Sequence, residues 1–62
     1  STLHVVASTE ILELDSNVSL SSKTLGNGEI SYTLADSNFE ALKTIEVSLR
    51  ANSSVVSIQL GK

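Results

Sequence analysis

The chain has no cysteine, proline, methionine or tryptophan, and its aromatic side chains are Tyr32 and Phe39 alone. Without cysteine there is no disulfide, and with His4 as the single imidazole a His/Cys zinc staple is excluded. Positive charge is scarce as well. Lys23, Lys43, Arg50 and Lys62 form no run, and the formal net charge is -3. A basic footprint is the first requirement for holding a phosphate backbone, so nucleic acid is a disfavoured partner. The longest uninterrupted apolar stretch is Val5-Val6-Ala7, which cannot span a bilayer. No basic, apolar, small-residue leader pattern is visible.

Size sharpens these absences. A domain of 62 residues buries only about 60% of the surface its unfolded chain exposes. Small domains usually offset that deficit with disulfides, a metal, large aromatics or a partner, and here the partner is the device that remains.

What the chain does have is alternation. Val18 and Leu20, then Ile30, Tyr32 and Leu34, then Ile45, Val47 and Leu49, then Val56, Ile58 and Leu60 stand every second residue. Ser19, Ser31, Thr33, Glu46, Ser48, Ser57 and Gln59 lie between them. A period of two sends successive side chains to opposite faces of a strand, so the pattern predicts a sheet with one apolar face. Gly26-Asn27-Gly28 supplies the positive φ that a tight hairpin demands. Asp15-Ser16-Asn17, Asp36-Ser37-Asn38 and Asn52-Ser53 are further turn signals, because Asp and Asn bond their own backbone two residues on.

Strands are expected near residues 2–8, 10–14, 18–25, 29–35, 43–50 and 55–60. The fold class is therefore all-β: a small antiparallel meander of about six short strands in a single domain over 1–62, closed as a sandwich or a barrel. The first two strands carry apolar residues on both faces, Val6 against Leu3, Val5 and Ala7, and Ile11 against Leu12 and Leu14. That predicts an N-terminal hairpin covered on both sides. Residues 37–43 read two ways. Ser37 with Glu40 fits a capping box, and Phe39 with Leu42 fits one face of a short helix. The rival extends the fifth strand back to Phe39, with Lys43 breaking the apolar stripe. On either reading nothing in the chain is expected to cover the sheet's apolar face.

The chemistry-bearing residues give no catalytic signature. His4 sits between Leu3 and Val5, where an ordinary strand residue is the simpler reading. Glu10 with Glu13, and Glu40 with Glu46, read as solvated charges rather than an acid–base pair, since a chain this short has little room for a deep cleft. The two Asp-Ser-Asn triplets place oxygen ligands at alternate positions but lack the glycine and terminal glutamate of a calcium loop. No cofactor is implied.

Residues 43–60, from Lys43-Thr44-Ile45-Glu46-Val47-Ser48-Leu49-Arg50 through Ala51-Asn52-Ser53-Ser54 to Val55-Val56-Ser57-Ile58-Gln59-Leu60, resemble the central hairpin of small RNA-phage coat proteins. The resemblance implies an alternating strand, a polar turn and a returning strand. It carries over no functional residue, and the basic inner sheet face of that family is missing here.

These observations predict a non-enzymatic structural module that self-associates through its apolar sheet face. The expected interface is Tyr32, Ile45, Val47, Leu49, Val56, Ile58 and Leu60. A homo-oligomer or another protein is the expected partner, without a membrane, in a virion, a fibre or an extracellular surface rather than the cytoplasm. The alternative is a small acidic protein-binding or inhibitory module acting as a monomer, since charge complementarity steers encounter.

Overall fold

The computed structural model describes residues 1–11 and 18–61. The described elements run in the order β1 (Thr2–Ala7), β2 (Ser19–Thr24), β3 (Ile30–Ala35), α1 (Phe39–Arg50) and β4 (Val55–Gly61). The four strands form one sheet in the order β2-β3-β1-β4, with every neighbouring pair antiparallel. Sheet dominates the domain, as the alternation predicts. There are four described strands rather than six, and the order is not that of a meander. β1 has been inserted between β3 and β4.

The central place of β1 explains its apolar residues on both faces. Leu3, Val5 and Ala7 are buried on one side, and Val6 is half-buried on the other. Leu3 stands opposite Leu34 and Leu60, and Val5 opposite Tyr32 and Ile58, so three strands contribute to one apolar face. The expected N-terminal hairpin does not form from its described part: Glu10 and Ile11 lie outside any strand. Residues 12–14 of that expected strand, and the Asp15-Ser16-Asn17 turn, lie outside the described residues.

The β2–β3 hairpin follows its turn chemistry. Gly28 has φ 86°, a left-handed conformation that costs glycine nothing. Across the loop the Leu25 N–H donates to the Glu29 carbonyl at 2.8 Å, and the Glu29 N–H donates to Asn27 Oδ1 at 3.1 Å.

The largest departure is at residues 39–50, where the expected strand 43–50 is part of a twelve-residue helix. Asn38, not Ser37, caps it: Asn38 Oδ1 accepts from the Glu40 and Ala41 N–H groups at 3.1 and 3.4 Å. Asp36 Oδ1 in turn accepts from the Asn38 N–H at 3.2 Å and fixes the approach to the cap. Glu40 in the first turn and Arg50 in the last complement the helix dipole. Thr44, an indifferent helix former, donates its hydroxyl to the Glu40 carbonyl at 3.0 Å.

Leu42, Ile45 and Leu49 repeat at helical spacing, and this face packs on the sheet. The apolar face is thus covered from within the chain, contrary to the expectation of an open sheet. Leu3, Val5, Ala7, Ile11, Tyr32, Leu34, Leu42 and Leu49 form the core, with Val18, Ile30, Ile45, Val55, Ile58 and Leu60 packed against it.

Candidate association surface

Two of the seven residues expected at an interface belong to the core: Tyr32 is 5% exposed and Leu49 9%. Ile45, Ile58 and Leu60 are half-buried and packed against that core. Val47 and Val56 are the exposed pair, at 66% and 57%. The two reach solvent for different local reasons.

Val47 lies on the helix. Measured from Leu42, Ile45 and Leu49 at about 100° per residue, it falls nearly opposite the buried face. Val56 is displaced by a register shift. Ser57 stands opposite Val6, but Val55 rather than Val56 stands opposite Ala7. The bulge hands the inner position to Val55, which packs against the core, and leaves Val56 outside. Strict alternation over residues 55–60 cannot signal this exchange, because both candidates are valine.

Val56 lines an open groove of about 320 Å³ together with Arg50, Val55, Ser57 and Ile58. Its walls are the end of α1 and the start of β4, and Arg50 is its single ionisable lining residue. The Arg50 guanidinium donates to Glu46 Oε2 at 2.7 Å, one helical turn back, while remaining 58% exposed. An exposed pair at this spacing is worth roughly 0.3–0.5 kcal/mol, so it orients Arg50 more than it stabilises the helix. The groove offers aliphatic walls and one oriented cation, which suits packing and charge pairing.

β4 itself is the feature that periodicity alone does not find. Among the described residues its sheet neighbour is β1, and no second strand pairs with it. Val55–Gly61 carries no charge and no proline. The signal was present in the composition of that segment, but strand order was needed to read it. The other outer strand, β2, is polar, exposed throughout, and bears Lys23. Leu20 on β2 is 46% exposed.

The remaining candidates are placed as follows. His4 is exposed, with Thr33 Oγ1 3.5 Å from its Nδ1 and Thr33 and Gln59 as cross-strand neighbours. Asp36 Oδ1 and Asn38 Oδ1 accept backbone N–H groups, the turn and capping role of this triplet. Glu10 is exposed, and Glu13 lies outside the described residues. Among the described residues no three His, Cys, Asp or Glu side chains gather as a metal site. No described helix is long and apolar enough to cross a membrane.

Neither a family model, nor a curated protein, nor a solved structure matches this chain.

Proposed function

We propose that this protein is a non-enzymatic structural module whose work is self-association, as a building unit of a virion, a fibre or an extracellular surface. One observation carries the reading: a very small domain leaves Val56 more than half exposed on an uncharged outer strand, and Val47 likewise on the solvent side of α1. Burying a valine side chain is worth about 1.5–3 kcal/mol, a large fraction of what a domain this size can hold in reserve. The surface of this proposal is the margin formed by α1 and β4, because α1 already covers the sheet's apolar face.

Sedimentation velocity from low to high micromolar concentration tests it. A closed oligomer that populates with concentration is the expected result. A monomer at every concentration would overturn it and favour the small acidic binding module instead.

A further inference from the structure

The margin has a geometry that selects its own occupant. Among the described residues no strand pairs with Val55–Gly61 on the side away from β1, where alternate residues turn their backbone N–H and C=O groups outward. Proteins usually blunt such an edge with lysine, proline, a bulge or a covering segment. The bulge on β4 is confined to its Val55–Val56 end, leaving Ser57–Gly61 in regular register. β2 carries Lys23 and is otherwise serine, threonine and one leucine. β4 carries Val, Ile, Leu, Ser, Gln and Gly, the composition of a strand that pairs readily.

We infer that β4 pairs antiparallel with β4 of a second copy, joining two sheets into one across a two-fold axis normal to the sheet. The inference rests on the self-association reading above and names its surface. Antiparallel pairing about such an axis is isologous, so each strand presents the same groups it meets. With Ile58 at the centre, Val56 of one copy faces Leu60 of the other, and Ser57 faces Gln59. No like charges are brought together anywhere along the strand.

The helices supply the second, independent argument. The axis places both α1 helices on the same face, running antiparallel. α1 packs chiefly on β4 and less on β1. Strands lie about 4.8 Å apart, so a helix seated over the β4–β1 margin stands roughly 5 Å from the axis. Two of them are then about 10 Å apart, at the distance of packed helices.

Arg50 lines the groove with β4 residues alone, so its side of the helix turns toward the open edge. Phe39, Lys43, Glu46 and Arg50 form one stripe on that side, spaced at one helical turn each. Phe39 and Arg50 are equally far from the helix midpoint, and so are Lys43 and Glu46. With the helix midpoint on the axis, an antiparallel copy therefore sets Lys43 against the partner's Glu46. This contact is made twice, and each Glu46 carboxylate keeps its own Arg50 at 2.7 Å while it meets the partner's Lys43. Charge complementarity, helix spacing and edge chemistry thus all point to a second copy of this chain.

A charge swap read by sedimentation equilibrium, with circular dichroism to verify the fold, tests the inference. Lys43 is exposed, so Lys43→Glu keeps the helix and turns two attractions into two repulsions. The dimer should weaken about tenfold or more. Combining Lys43→Glu with Glu46→Lys restores the pairing in reversed sense but gives up the Glu46–Arg50 pair within the helix, and should recover part of the lost affinity. Val56→Lys, at an exposed site on the edge, should also dissociate the dimer, and it decides the question alone if the helix variants lose structure. A folded wild type that self-associates but ignores both Lys43→Glu and Val56→Lys overturns the β4 interface and leaves the self-association reading standing. A wild type that stays monomeric overturns both.

Discussion

The Tyr32 hydroxyl accepts a 3.2 Å hydrogen bond from the backbone N–H of Ile11, and both residues are buried. This bond ties the segment after β1 to the apolar face of β3. Tyr32 is thereby the internal anchor of the domain, and its ring is spent on the core before any partner arrives.

Tyr32→Phe keeps the ring and deletes the acceptor, leaving the buried Ile11 N–H unpaired. The expected cost is about 1–3 kcal/mol in urea unfolding, the range for a stranded buried donor. A loss near zero would mean that water replaces the hydroxyl.

Asn38→Ala removes the helix cap and should cost about 1 kcal/mol. Ser37→Ala, one residue earlier, should stay within about 0.5 kcal/mol, as surface changes away from special features do. The pair of melting curves identifies the cap directly. The reverse order would return the helix start to Ser37.

The position of that cap shows how much of the fold was legible in the sequence. β3 and β4 follow from alternation, β1 from an apolar segment with Val6 on its second face, and the β2–β3 turn from Gly26-Asn27-Gly28. Residues 37–43 read two ways and 43–50 read as a strand, because two patterns share the same letters. Ile45, Val47 and Leu49 fit a strand, while Phe39, Leu42, Ile45 and Leu49 fit a helix. Ile45 and Leu49 serve both, and β-branched Thr44, Ile45 and Val47 weight the local preference toward a strand. Burial decides for the helix. It puts Lys43 in water, takes Leu42 to zero exposure, and gives the sheet a cover that no strand here provides. The association surface was less legible. Val56 reaches solvent only through a bulge that periodicity cannot foresee, and periodicity assigns Tyr32 and Leu49 to a surface they do not reach.

Leu42 and Val47 separate the two readings of the helix by stability. Leu42→Ala should cost about 2–5 kcal/mol, because a fully buried side chain leaves a cavity. Val47→Ala should change stability by less than about 0.5 kcal/mol. Comparable losses at both sites, by thermal or urea unfolding, would place residues 43–50 in a strand.

The bulge on β4 makes its own prediction. Val55→Asp puts a carboxylate at a core-packed position and should unfold much of the protein at room temperature. Val56→Asp should leave the monomer's circular dichroism and melting temperature nearly unchanged while weakening self-association. The opposite ranking would restore uninterrupted alternation along residues 55–60.

Amide hydrogen exchange along Ser57–Gly61 tests the central claim most directly. A lone outer strand bonds β1 through alternate residues and leaves the amides between them open to water. Pairing of β4 with β4 of a second copy predicts slow exchange at every amide of this stretch at high protein concentration. On dilution, alternate amides should lose that protection while the β1-facing ones keep it. Protection confined to alternate amides at every concentration would contradict the account.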